Sequence, residues 1–161
     1  MTIFVNKPRS NIPALLIVFI IFLILGVLFS KYFATASSQH SLDSFKVIHL
    51  NWFTEIIFRN TIAFLVLSST LFLGNIVSVI FFCVNGFNVG LICGQLPIFQ
   101  SIVLLSPHGV IEITSYIWLV YAVTHVNHMK INIIRSYCLL FLAAIIEVFV
   151  TPGLALWLLG D

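Results

Sequence analysis

The sequence predicts an all-α, polytopic transmembrane helix bundle with about five spans. Of its 161 residues, 61% are hydrophobic and only 7% are charged, whereas soluble domains carry about 25% charged residues. The mean hydropathy is +1.17. Since a helix needs about 20 apolar residues to cross a bilayer, a chain of this length makes one bundle. Residues 1–161 are therefore interpreted as a single transmembrane domain.

The composition also limits the function classes. The formal net charge of +2 is small and scattered along the chain, whereas nucleic-acid binding requires a clustered basic face, so no nucleic-acid partner is expected. Cys83, Cys93 and Cys138 lie in apolar runs without any C-x-x-C spacing. They are interpreted as small hydrophobic residues rather than as disulfide partners or metal ligands.

The first span is predicted over residues 12–33, with Pro13 in its first turn, where the missing backbone donor costs little. No clean small-x-small cleavage site follows it, so residues 1–35 are interpreted as a retained anchor. Residues 36–60 are expected to form an outer loop and an interfacial helix, in which Glu55 and Arg59 pair on one helix face.

Residues 61–94 contain no formal charge and are too long for one ordinary crossing. The helix break is expected either at Gly74-Asn75 or at Asn85-Gly86, two good turn dipeptides. We favour Gly74-Asn75, because a third span over residues 76–96 then places three glycines on one helix face. These glycines, Gly86, Gly90 and Gly94, recur at every fourth position and are called the glycine stripe. The stripe predicts either an internal packing face, which we favour, or a contact with a second copy of the chain.

The remaining spans begin after Pro97. Residues 98–105 are expected to form a short interfacial or re-entrant segment. Ser106 then reads as an N-cap and Pro107 as a first-turn proline, just before Gly109, so that the fourth span covers residues 108–126. The fifth span is predicted over residues 136–158, with a kink or an end at Pro152.

Residues 61–161 thus form a four-span core, and four helices plus a re-entrant segment are the competing arrangement. The positive-inside rule compares basic residues in short loops. With five crossings, Lys7 and Arg9 share one side of the membrane with Lys130 and Arg135. This arrangement predicts that the N-terminus is inside.

Several polar residues interrupt the apolar runs and are expected to meet inside the bundle, because unpaired polar groups are costly in hydrocarbon. This expected polar cluster consists of Asn60, Asn75, Asn85, His108, Glu112, Glu147 and Thr151. Two interpretations are open. The cluster braces the bundle, with Glu147 hydrogen-bonded to Asn85 or to a backbone carbonyl, or it lines a functional pocket.

His108, Glu112 and Glu147 are the candidates for chemistry. His108 and Glu112 are four residues apart and share a helix face, so they can bond each other, hold a proton or act on one ligand. As a zinc site the pair is incomplete, since catalytic zinc needs three protein ligands. His125 and His128 lie about 25 Å further along the helix. No metal and no cofactor are therefore expected.

Four motifs together resemble the stage II sporulation protein M family over residues 60–152. They are Asn60 before a long apolar stretch, Asn85-Gly86-x3-Gly90, Pro107-His108-Gly109-x2-Glu112 and Ile146-Glu147-x3-Thr151-Pro152. The resemblance implies a multi-pass protein of the bacterial cytoplasmic membrane that works within an assembly. The sporulation member is associated with cell-wall remodelling, and short relatives accompany circular bacteriocin genes.

The leading functional hypothesis is a non-enzymatic scaffold or accessory subunit for peptide export, maturation or immunity, or for cell-wall remodelling. Its expected partners are the lipid bilayer, other membrane proteins, a hydrophobic peptide and a second copy of the chain. One alternative is an intramembrane peptidase or ligase with His108 as base and Glu112 or Glu147 as the acid or orienting group. The other is a proton-coupled peptide transporter subunit.

Overall fold

A computed structural model describes residues 11–33, 50–125 and 129–159. These parts of the chain are helical and contain no strand. The helices are α1 (Ile12–Phe33), α2 (Leu50–Ser68), α3 (Thr70–Leu73), α4 (Asn75–Gln95), α5 (Ile98–Thr124), α6 (Met129–Phe149) and α7 (Thr151–Leu159).

Five helical segments are long and apolar enough to cross a membrane. They are Ile12–Phe33, Trp52–Leu73, Asn75–Gln95, Ile98–Thr124 and Met129–Leu158. The predicted fold class, an all-α bundle with five spans, is confirmed. The inside position of the N-terminus stays a prediction, and Lys7 and Arg9, on which it partly depends, lie outside the described residues.

The second span differs from the sequence prediction. Residues 51–60 are not a separate interfacial helix, because α2 runs without a break from Leu50 to Ser68. This stretch contains neither glycine nor proline, so no residue in it ends the helix. Arg59 is thereby carried into the membrane-crossing helix.

The break after the second span lies at Gly74, as predicted. Gly74 has a φ of 81°, a left-handed conformation that glycine adopts without the steric cost of a Cβ atom. α4 begins at the next residue, Asn75. The alternative dipeptide, Asn85-Gly86, lies inside α4.

The fourth span corrects two predictions. α5 is continuous over 27 residues, so residues 98–105 belong to the same helix as the fourth span and do not form a separate or re-entrant segment. Ser106 is not an N-cap, because its hydroxyl donates to the carbonyl of Ile102 at 2.5 Å. Pro107 lies inside the helix rather than at its start. Membrane helices tolerate an internal proline because ending the helix would expose more backbone polar groups to lipid.

The last span starts at Met129, earlier than the predicted residue 136, and Lys130 and Arg135 lie on its first turns. It is interrupted at Val150, where α6 gives way to α7, with Pro152 in the first turn of α7. This is the region in which a kink was expected, since proline restricts the backbone before it.

Two helix pairs dominate the packing. α1 packs along α4 and α5 packs along α6, while α2 contacts α4, α5 and α6. Phe82, Leu67, Leu119 and Leu140 are almost fully buried between the helices. The two pairs form the walls between which the candidate site lies.

Candidate functional site

The glycine stripe holds α4 against α1. A Cβ atom added at Gly86 or Gly90 would collide with the backbone of α1, at Phe19 and Leu23 respectively. A Cβ atom at Gly94 would collide with Ser30. The structure therefore uses the stripe as an internal packing face, the first of the two alternatives, and fixes one wall of the site.

A groove with a volume of about 290 Å³ lies between α1, α4 and α5. Its walls are mainly apolar, with Phe19, Leu23, Phe81, Phe82, Val89, Leu105 and Ile113. Its polar lining consists of Asn85, Ser101, Ser106, His108, Glu112 and the hydroxyl-bearing Tyr116. Ile102 and Val110 at its rim are 60% and 61% exposed, so the groove opens on the outer surface of the bundle.

Glu112 is held in the groove by Tyr116. The tyrosine hydroxyl donates to Oε1 of Glu112 at 2.8 Å, one helical turn further along α5. The ring of Tyr116 packs edge-on against Phe81 of α4, with 4.8 Å between ring centroids. This aromatic contact fixes the tyrosine, and the hydrogen bond fixes the carboxyl group.

His108 is tied to the last helix. Its Nδ1 atom lies 3.2 Å from the hydroxyl of Thr151, the first residue of α7. His108 is buried, and its ring also lines the groove. The bond therefore joins the groove to the α6–α7 junction and orients the imidazole.

Glu147 and Arg59 complete the charged part of the cluster. Glu147 lies one turn before Thr151, and its carboxyl group interacts electrostatically with that of Glu112. The guanidinium of Arg59 attracts both carboxyl groups. Ionisable side chains from α2, α5 and α6 thus interact electrostatically, with Arg59 on the exposed side of α2.

The structure assigns different positions to the predicted asparagines. Asn85 lines the groove, but its amide nitrogen donates to the carbonyl of Phe81 in the same helix at 2.9 Å and not to Glu147. The amide nitrogen of Asn60 is buried and has no hydrogen-bond partner among the described residues. It lies in a narrow cleft between α2 and α6 with Tyr137 and Ala144.

Asn75 lies at one end of its helix. It is the first residue of α4 and lies ten residues before Asn85. At 1.5 Å per residue, this separation is about 15 Å along the helix axis. Its place in the polar cluster therefore stays a prediction.

Sequence reasoning missed two members of the site. Arg59 was paired with Glu55 on its own helix, whereas its charge acts on Glu112 and Glu147. An arginine inside a membrane-crossing segment would have been a signal, had residues 51–60 been recognised as part of one. Tyr116 follows Glu112 by four residues, so the spacing rule that joined His108 to Glu112 also pointed to it.

Metal ligation finds no support in the geometry of the described residues, which contain no group of three or more candidate His, Cys, Asp or Glu ligands. His125 lies at the far end of α5 from His108 and contacts the carbonyl of Tyr121. His128 falls outside the described residues.

These features define a class of protein: a multi-pass membrane protein whose membrane-capable helices carry ionisable side chains. The sequence model of the SpoIIM family, described as Stage II sporulation protein M, matches residues 15–152, and the chain belongs to this family. The match includes α1, which the motif resemblance did not cover. Comparisons with curated proteins and with solved structures give no match.

Proposed function

We propose that this protein is a non-enzymatic scaffold or accessory subunit of a membrane complex in the bacterial cytoplasmic membrane. The complexes suggested by the sequence resemblance serve peptide export, maturation or immunity, or cell-wall remodelling. Family membership and five membrane-capable helices support a role within the membrane.

One observation carries the non-enzymatic role. The hydroxyl of Thr151 contacts Nδ1 of His108, yet Thr151 is not among the residues that line the groove. Thr151 thus ties His108 to the last helix, and Tyr116 ties Glu112 within α5. Polar groups that bond one another in this way brace the bundle, and this bracing supports the scaffold role.

The proposal is tested by isolating the complex directly from native membranes. The tagged chain is extracted into polymer-bounded nanodiscs, and its associated proteins are identified and counted by native mass spectrometry. We expect a complex of fixed stoichiometry with other membrane proteins, and we expect His108→Gln to preserve both its amount and its cellular activity. A chain that is isolated alone, or a His108→Gln variant that assembles normally but is inactive, would refute the scaffold role.

The intramembrane peptidase or ligase is the second candidate, because His108 and Glu112 line the same groove. In that case His108 would activate a water molecule and Glu112 would orient or protonate the reacting groups. Purified protein would then process a candidate precursor peptide, and His108→Gln would abolish the processing. Absence of any product with the folded wild-type chain would exclude this candidate for that precursor.

A further inference from the structure

We propose that the groove between α1, α4 and α5 receives one basic side chain, lysine or arginine, from a transmembrane helix of a partner protein. Glu112 is the counter-ion for that side chain. This inference rests on the proposed scaffold function and specifies the chemistry of the partner.

The first argument is charge complementarity. Glu112 and Glu147 interact with each other, and among the described residues Arg59 is the cationic group that acts on both. A single guanidinium supplies one positive charge for two carboxyl groups. A buried carboxyl group without a counter-charge avoids ionisation within a bilayer. A basic side chain placed in the groove would supply that counter-charge to Glu112.

The second argument concerns the hydrogen-bonding atoms in the groove. Tyr116 occupies Oε1 of Glu112, and the other carboxyl oxygen remains an acceptor. The amide nitrogen of Asn85 is used by Phe81, which leaves the amide oxygen as an acceptor as well. Lysine and arginine carry several donors and no acceptor, so they complement this pair of atoms.

The size of the groove favours a side chain over a whole helix. Its volume of about 290 Å³ lies near the lower end of the 300–1,000 Å³ typical of ligand pockets. A helix with its side chains is about 10 Å wide and does not fit. A partner helix can instead lie against the exposed rim at Ile102 and Val110. The apolar groove walls then accommodate the methylene stem of the inserted side chain.

The depth of the site favours a protein over a lipid amine. Glu112 lies close to the midpoint of the 27-residue α5, and thus near the centre of a hydrocarbon layer about 30 Å thick. The amine of a phospholipid remains at the bilayer surface, about half that thickness away. A transmembrane helix can carry a basic residue to this depth.

The test uses the full chain in phosphatidylcholine nanodiscs and two synthetic transmembrane helices. The peptides are identical apolar helices that differ at the central residue, which is lysine in one and leucine in the other. Binding is measured by energy transfer between labelled peptide and labelled protein. We expect the lysine peptide to bind about tenfold more tightly, because its charge finds a partner that lipid cannot supply.

Two substitutions of carboxyl groups test the role of the counter-ion. Glu112→Gln keeps the shape of the side chain and should reduce the preference for lysine to less than about twofold. Glu55→Gln is the matched control, since Glu55 is exposed on α2 and lies outside the groove lining. It should retain the wild-type preference.

A second pair of variants tests the groove without changing charge. Gly109 lines the groove, and a Cβ atom added there meets no atom within 4 Å. Gly109→Leu should therefore fold normally, fill part of the groove and abolish binding of the lysine peptide. Gly153→Leu is the control, because Gly153 has the same free space but lies on α7, outside the groove.

Several results would overturn the inference. They are equal binding of the two peptides, a full lysine preference in Glu112→Gln, and wild-type binding by Gly109→Leu. Displacement of the lysine peptide by phosphatidylethanolamine would assign the groove to a lipid amine. Energy transfer between two labelled copies of the chain that disappears in Gly109→Leu would assign it to a second copy.

The inference and the proposed function fail separately. If the native complex is isolated but the peptides bind equally, only the proposal that the groove receives a basic side chain is refuted. If the lysine preference is present but the chain is isolated alone from native membranes, binding of a basic side chain in the groove is supported and the scaffold role is refuted.

Discussion

The α1–α4 pair and the α5–α6 pair are the two most extensive helix contacts of the bundle, yet different forces hold them. α1 and α4 approach at glycines, where backbone meets backbone. α5 and α6 are joined by reciprocal hydrogen bonds. The hydroxyl of Ser115 donates to the carbonyl of Ser136, and the hydroxyl of Ser136 donates to the carbonyl of Ser115, both at 2.7 Å.

The difference shows which interactions hold the helices together where the hydrophobic effect does not drive their association. Lipid tails are as apolar as the helix surfaces, so helix association depends on close packing and on hydrogen bonds. The glycine pair uses packing and makes a wall without chemical specificity. The serine pair lies on the side that carries the ionisable cluster. The groove lies where the two pairs adjoin, and α5 supplies most of its polar side chains while Asn85 comes from α4.

Gly90→Leu should produce the largest effect and break the first pair. The new side chain would meet the carbonyl of Leu23 and the Cα atom of Gly26, and backbone atoms cannot rotate away. We expect a loss of about 3 kcal/mol or more in the free energy of unfolding. Steric trapping in bicelles measures this quantity, with Gly153→Leu as a control that changes it by less than about 0.5 kcal/mol. Equal stability of the two variants would refute close packing as the force in this pair.

Tyr116→Phe should have the next largest effect. It removes the 2.8 Å hydrogen bond to Glu112 without changing the ring that packs on Phe81. A side-chain hydrogen bond contributes about 0.5–1.5 kcal/mol, and we expect a destabilisation near the upper value. Tyr32→Phe is the control, since Tyr32 is 80% exposed. Combining Tyr116→Phe with Glu112→Leu, which removes the acceptor, measures the coupling, and purely additive effects would show that the bond contributes nothing.

Ser115→Ala should have a smaller effect on the second pair. Hydrogen bonds between membrane helices average about 0.6 kcal/mol and reach about 1.7 kcal/mol, and Ser115 takes part in two reciprocal bonds. Ser115→Ala and Ser136→Ala each remove one bond to a backbone carbonyl, so each should cost a free energy within that range and the two costs should nearly add. Thr114→Ala is the neighbouring control, because the Thr114 hydroxyl donates to Val110 within its own helix. A double variant as stable as the wild type would mean that packing alone holds both pairs.

Much of the fold could be predicted because the apolar runs and Gly74 are local features. The errors at residues 51–60 and at Ser106 have one cause. Rules for helix caps come from helices whose ends are in water. Within a bilayer, a helix that continues keeps its backbone hydrogen bonds, so the same residues do not end it. Ser106 accordingly bonds back to Ile102, and α5 extends through Pro107.

The site could be predicted only within single helices. The pair of His108 and Glu112 follows from a four-residue spacing, and this rule also covers Tyr116. The electrostatic interaction of Arg59 with Glu147 depends on how α2 and α6 are rotated about their axes, which spacing within one helix does not determine. For the same reason no sequence pattern indicated that Ser115 and Ser136 would face each other.

Thr151→Val should have the smallest effect on overall stability and gives the sharpest test of how α7 is held. The bond from Thr151 to His108 is 3.2 Å long, and its loss should cost about 0.6 kcal/mol. α7 also packs through Pro152 and Ala155, which are buried, so the helix should remain in place. If the bond nevertheless positions α7, hydrogen exchange in residues 151–159 should be faster in Thr151→Val than in Thr151→Ser, which retains the hydroxyl. Equal exchange in the two variants would mean that packing alone positions α7, as it positions α1 against α4.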